Sequence, residues 1–218
     1  GSYPNFNGEK VFKSLNGGQS WINLTSNILD DVFPTNIEHQ RGSNGGVYLG
    51  TRKSVYYIDN TMSDWTVYDN NLPQPATSVQ LIPHYRKGLL FNGTNRSIYE
   101  VDFYSNTPPS AQIAADKLNI SCMNDTVFFV DHSAVRLASA SWNWSFPGGN
   151  PSTSNLENPV VVYSQAGNYD VSLTVTDAFG TSSQTINNLI TYVDTTSIIT
   201  NSNNYQEGFD TNTFPPEA

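Results

Sequence analysis

Trp142-Asn143-Trp144-Ser145-Phe146-Pro147-Gly148-Gly149 is the stretch on which the reading of this 218-residue chain turns. Its aromatics alternate, so in a strand all three side chains fall on one face. Val171, Leu173 and Val175 alternate in the same way, with Ser172, Thr174 and Thr176 opposite. Between the two runs lie turn formers: Pro147-Gly148-Gly149, Asn150-Pro151 and Asn158-Pro159. Two half-buried strands of this kind need a second sheet to cover them, which predicts a β-sandwich. A Trp-x-Trp-x-Phe run could serve as an aromatic ligand platform. Side chains on the inner face of a sandwich strand are core, however, and Trp144 and Phe146 are expected there.

Working outward, Trp144, Phe146, Gly149, Asn158, Pro159, Tyr163, Ala166, Gly167, Tyr169, Val171, Leu173, Val175 and Asp177 follow one spaced pattern. In these positions the segment resembles a PKD domain, an immunoglobulin-like sandwich of secreted and surface proteins. The Phe-Pro-Gly-Gly variant, with Ile120-Ser121-Cys122 and Val127-Phe128-Phe129-Val130-Asp131 upstream, is similar to the form in exported proteins of Bacteroidota. Some relatives bind calcium through carboxylates clustered after this last strand. Here Asp131 is followed by His132-Ser133-Ala134-Val135-Arg136 with no second acid, and a hard cation needs several oxygen ligands. The expectation is no metal and no cofactor.

The chain before this module repeats itself. Tyr48-Leu49-Gly50-Thr51-Arg52-Lys53-Ser54-Val55-Tyr56-Tyr57-Ile58-Asp59 returns as Leu90 to Asp102, with Gly-Thr, basic-Ser, aliphatic-Tyr and Asp recurring about 43 positions apart. Trp21 and Trp65 each close a short polar loop at nearly the same interval. A period of this size, built from short strands and turns, predicts β-propeller blades. Ser14-Leu15-Asn16-Gly17-Gly18-Gln19-Ser20-Trp21 is similar to an Asp-box, the hairpin turn of sialidase-like (BNR) propellers, with Asn16 in the acid position. That resemblance implies a structural role for Ser14, Asn16, Gly18 and Trp21, with the indole packed beneath the turn. In the second copy Met62 replaces the glycine before Trp65, so that copy is degenerate. Two blades do not close a propeller of about 4–8, which reads as a piece of a longer protein with open blade edges able to self-associate.

A net charge of −9 with only 10 Lys and Arg argues against nucleic acid, whose binders gather basic residues. No run of about 18 apolar residues is present to span a membrane. Cys122 is the only cysteine, which rules out an intrachain disulfide; its place beside a strand suggests a buried, inert thiol. Helical periodicity is nearly absent, with one short helical turn expected within 111–118. His39, His84 and His132 lack metal-ligand spacing. Asp30-Asp31 reads as a solvated pair rather than an acid/base couple, and Arg41, Arg52, Arg86 and Arg96 do not form a sialidase arginine cluster.

The fold class expected is all-β: incomplete propeller blades followed by an immunoglobulin-like sandwich. The expected organisation is a tag remnant at 1–2, two blades over 3–106, a PKD domain over 107–194, and a linker with the start of a further β module over 195–218. The resemblance implies a non-catalytic spacer or adhesion fragment of a secreted or cell-surface bacterial protein, exported by the type IX route. Polysaccharide or a surface protein is the candidate partner. The alternative is an accessory targeting part of a secreted glycosidase or protease whose catalytic domain lies elsewhere. Sortilin-like protein recognition ranks third.

Overall fold

The computed structural model describes residues 8–70, 72, 76–122 and 124–193. The tag remnant at 1–2 and the linker and β module expected over 195–218 lie outside them. The fold is all-β; among the described residues the helical elements are two single 3₁₀ turns, Asn27–Leu29 and Leu137–Ser139.

Three antiparallel sheets come first. β1 (Phe12–Lys13) and β2 (Ile22–Asn23) form a hairpin. β3 (Pro34–His39), β4 (Val47–Thr51), β5 (Val55–Ile58) and β6 (Thr66–Val67) follow as a four-stranded meander in chain order. β7 (Ser78–His84), β8 (Leu89–Thr94) and β9 (Ile98–Asp102) make a three-stranded sheet.

These sheets copy one another at the level of individual hydrogen bonds. Thr51 Oγ1 donates to Ser54 O at 2.7 Å and accepts from Ser54 N at 3.0 Å. Thr94 does the same with Ser97 at 2.8 and 3.1 Å. The register of β3 on β4 shifts between Pro34 and Asn36, and that of β7 on β8 between Ser78 and Gln80. The β1–β2 hairpin pairs Phe12 with Asn23 and Lys13 with Ile22, as β5 and β6 pair Tyr56 with Val67 and Tyr57 with Thr66. Leu24 N donates to Val11 O at 2.8 Å, and Tyr68 N to Val55 O at 2.7 Å.

The two central strands of the four-stranded sheet, β4 and β5, are buried on both faces, which explains their apolar sequence, whereas the edge strand β3 is largely exposed. Side chains alternate across a strand, so Leu49 and Tyr56 join Val11, Leu29, Val32 and Trp65 in one cluster, against the β1–β2 hairpin. Tyr48, Val55 and Tyr57 join Tyr68, Leu81, Leu90 and Phe103 in another, against the three-stranded sheet.

The rest is a two-sheet sandwich. Its strands are β10 (Ile113–Ala115), β11 (Asn119–Ile120), β12 (Thr126–Asp131), β13 (Ser141–Ser145), β14 (Gly149–Asn150), β15 (Thr153–Ser154), β16 (Val160–Tyr163), β17 (Gly167–Asp177) and β18 (Gly180–Tyr192). One sheet runs β10-β12-β16-β14 and the other β11-β18-β17-β13-β15. Trp144, Phe146, Phe129, Val161, Tyr163, Val171, Leu173 and Val175 fill the space between them. Trp144 and Phe146 stack at 5.6 Å between ring centroids. On the outer face of the long β17–β18 hairpin, three hydroxyl pairs form a ladder: Ser172 with Thr185, Thr174 with Ser183 and Thr176 with Thr181, at 2.8–2.9 Å.

Two expectations fail here. The helical turn within 111–118 is absent; Ile113–Ala115 is a strand paired with Phe129–Asp131. Its alanines favour a helix in isolation, but burying Ile113 against the sandwich core outweighs that preference. Cys122 is exposed rather than buried, because it lies past the end of β11, beyond the last inward-facing residue Ile120.

Candidate functional site

Three arginines and their polar partners meet at the joint between the three-stranded and four-stranded sheets and the sandwich. Two hairpin loops, at equivalent places in the two repeats, present one arginine each.

From the loop between β7 and β8, Arg86 donates Nη2–H to the carbonyl of Asp131 at 2.8 Å and lies 3.5 Å from its Oδ2. Its Nη1 pairs with Glu157 Oε1 at 2.5 Å. The Asp131 side chain, at the end of β12, is fully buried and accepts further bonds from Ser133 N at 2.9 Å and Trp142 Nε1 at 2.8 Å. Asp131 N donates to Asn158 Oδ1 at 3.0 Å. The Asp131 carboxylate thus faces three donors of this chain: Ser133 N, Trp142 Nε1 and, at 3.5 Å, Arg86 Nη2.

From the loop between β3 and β4, Arg41 donates to Gln112 Oε1 at 2.7 Å and to His132 O at 3.0 Å, and stacks over the Tyr85 ring. The Tyr85 hydroxyl accepts from Arg41 N at 2.8 Å, and burial raises its pKa. Gly42 in this loop has φ +78°, and a Cβ there would come within 2.6 Å of Pro108 O, so only glycine lets the loop meet the connecting segment.

A third contact comes from the sandwich side. Arg136 lies over Phe103 and Phe179, and its Nη2 donates to Asn106 Oδ1 at 2.8 Å. Leu137 N donates to Arg86 O at 3.1 Å. The connecting segment is itself tied down: Gln40 donates to Ser105 O at 2.9 Å, and Tyr104 N donates to the Tyr48 hydroxyl at 2.8 Å. Burial raises the pKa of Tyr48 strongly, so it stays a neutral hydroxyl at any physiological pH.

The residues picked out from sequence lie away from this joint, Asp177 excepted. In the first loop Ser14 Oγ accepts from Gly18 N at 2.7 Å and Asn16 Oδ1 from Ser20 N at 2.9 Å, so side chains cap the turn. Trp65 is 3 % exposed and donates Nε1–H to Leu24 O at 2.7 Å. Trp21 differs: it touches Gly18 but remains 62 % exposed, instead of packing beneath its turn. Trp65 is covered by the β1–β2 hairpin one repeat earlier, and among the described residues no hairpin precedes β1–β2 to cover Trp21 in the same way.

Trp144, Phe146 and Tyr163 are fully buried. The Tyr163 hydroxyl has no hydrogen-bond partner among the described residues, and burial pushes its pKa up to about 12. Gly167 opens β17 opposite Tyr192. Tyr169 packs on Tyr163, 4.5 Å between centroids, and covers Gly148, whose φ is +79°. Asp177 caps the β17–β18 turn, accepting from Phe179 N at 2.8 Å, and its other oxygen accepts from Arg136 N at 3.1 Å.

Residues 106–192 match the model of the PKD domain family. The match covers the sandwich, less than half of the chain, and begins at Asn106, which accepts from Arg136 at the joint. No curated protein matches the chain. Among solved structures, the chain is similar to the extracellular domain of a Bacteroides thetaiotaomicron protein titled a hybrid two component system. Identity is 11 %, over 80 % of this chain and 27 % of that one, with a TM-score of 0.32. A second such extracellular domain from the same organism gives 14 % identity over 72 % and 26 %, with a TM-score of 0.27. The chain thus spans about a quarter of the length of these proteins, and TM-scores this low do not amount to a shared fold.

Sequence reasoning missed Arg41 and Arg86 as joint residues. They stand 45 positions apart in equivalent loops, and that recurrence was the available signal. Among the described residues, no group of three or more His, Cys, Asp or Glu side chains is placed to hold a metal ion, and no helix is long and apolar enough to cross a membrane.

Proposed function

We propose that this chain is a non-catalytic extracellular part of a secreted or cell-surface bacterial protein, and that it holds a PKD domain at a fixed attitude to β-propeller blades. The single observation that carries the reading is the joint. A spacer made of independent modules needs only a linker, whereas here two repeat loops, the connecting segment and the sandwich are bonded at Arg86, Arg41 and Arg136. The repeated sheets support blades over residues 3–106, and the family match supports a PKD domain over 107–194. The side-chain-capped Ser14–Trp21 turn supports an Asp-box, and the resemblance to exported Bacteroidota proteins supports the type IX route. Self-association, with Phe12 and Trp21 as its exposed apolar contact, is the companion expectation.

The test joins small-angle scattering with a polysaccharide array. A positioning part gives one scattering profile fitted by a single rigid arrangement and no saturable retention on any glycan. A profile that requires an ensemble of sandwich orientations overturns the positioning role. Saturable retention on one polysaccharide replaces it with adhesion.

A further inference from the structure

Among the described residues, the last sheet of the repeat has three strands where the sheet before it has four. In the four-stranded sheet, β5 lies between β4 and β6. Tyr68 N donates to Val55 O, and peptide groups alternate in direction along a strand, so residues 55 and 57 face β6. One repeat later the same edge of β9 is presented by Ile98 and Glu100, and β9 pairs only with β8 among the described residues. The reason is visible in the chain. Residues 109–110 fall where a copy of β6 would fall, and Ser110 instead bridges to Ala134 of the sandwich. The strand was given up to the joint.

The missing strand leaves an empty seat. Trp65, just before β6, shares one cluster with Leu29, Val32 and six residues of the flanking strands, Val11, Leu24, Val47, Leu49, Tyr56 and Ile58, and donates its indole N–H to Leu24 O. Moved on by 43 or 44 positions, those six residues become Val55, Tyr68, Leu90, Asn92, Tyr99 and Val101. All six line one cavity of about 90 Å³ beside β9. The seat recurs, and the aromatic that fills it does not.

We propose that the β9 edge and this cavity form a docking site for an extended segment of a partner protein that carries a tryptophan. The segment adds a fourth antiparallel strand by pairing with Ile98 and Glu100. Its indole enters the seat and donates to the Tyr68 carbonyl, as Trp65 does to Leu24. The occupant's chemistry is read from residues 65–68, because the site continues the packed seam between the two sheets that Trp65 closes one repeat earlier. The inference rests on the repeat geometry and not on the positioning role above.

The probe is a fluorescent nine-residue peptide with the sequence of residues 62–70, titrated into the full chain by fluorescence anisotropy. Saturable binding is expected, weakened at least tenfold when the peptide's tryptophan is replaced by alanine. Amide shifts should centre on Ile98 and Glu100. Glu100→Pro removes an edge N–H and should abolish binding; Val101→Phe narrows the seat from its wall and serves where the proline variant loses its fold. No saturation at millimolar protein, or equal binding of the alanine peptide, overturns the proposal. So does a dimer of the chain that the peptide dissolves, since a second copy would then be the occupant.

Discussion

Replacing Arg86 by methionine keeps the aliphatic stem and removes the guanidinium that joins the repeat sheets to the sandwich. Three contacts go: the Asp131 carbonyl at 2.8 Å, the Asp131 carboxylate at 3.5 Å, and Glu157 at 2.5 Å. They do not count equally. Arg86 and Glu157 side chains are 30 % and 36 % exposed, so their pair behaves as a surface ion pair of about 0.2–1 kcal/mol. The contact with fully buried Asp131 is stronger, about 1.5–3 kcal/mol for bonds to a charged group. Ser133 N and Trp142 Nε1 still serve the carboxylate, which keeps the loss toward the lower end. A total of about 2 kcal/mol is expected, or a fall of about 4–8 °C in Tm for a chain of this size. The assay is differential scanning calorimetry of Arg86→Met beside wild type, with Asp131→Asn completing a double-mutant cycle. The wild type should unfold in one coupled transition, and the variant should split it into separate transitions of the sheets and the sandwich. A Tm within 1 °C of wild type, an unsplit transition and a coupling energy near zero would together refute a load on this contact.

Three further outcomes follow from burial and chemistry. Tyr163 and Tyr68 are held neutral by burial, with pKa values pushed up to about 12. The unfolded chain loses these protons near pH 10 and the folded one does not, so their contribution is complete below pH 10 and lost as pH rises toward 12, by at most about 1.4 kcal/mol per pH unit for each. Absorbance at 295 nm should therefore lag and then rise with unfolding; smooth titration of all twelve tyrosines near pH 10 in a folded protein would contradict it. Trp144→Ala, at a fully buried site, should cost about 3–5 kcal/mol in urea unfolding, and a cost under 1 would remove Trp144 from the core. Cys122 should react with Ellman's reagent in the native protein, one thiol per chain, and protection until denaturant is added would mean that it is buried after all.

What the sequence disclosed was whatever is encoded locally. The alternation at Trp142–Phe146 and Val171–Val175 specifies two strands and their inward faces, because period two admits few other readings. The 43-residue recurrence was legible because each turn carries its own hydrogen bonds, as Thr51 and Thr94 do. The joint was not legible. Arg86, in a hairpin loop, and Asp131, at the end of β12, are 45 residues apart, and nothing near either in sequence marks the other. The role of Asp131 as an acceptor at the joint was hidden because its donors, Trp142 Nε1 and Arg86, arrive only on folding. The strand at Ile113–Ala115 was misread for the same reason, since its partner strand decides its conformation.

The placing of Arg41 and Arg86 in successive copies of one loop has a mechanical consequence. A body pinned at one point can swivel about it, and one pinned at two can turn only about the line through both. The sandwich is pinned by both loops and, through Arg136 and Asn106, to the connecting segment as well. Three anchors leave no free axis when they do not share a line, so torque applied to the far end of the sandwich is delivered to the repeat sheets instead of being dissipated in a swivel. Because two of the anchors recur with the repeat, losing one sheet would remove one pin and restore the hinge.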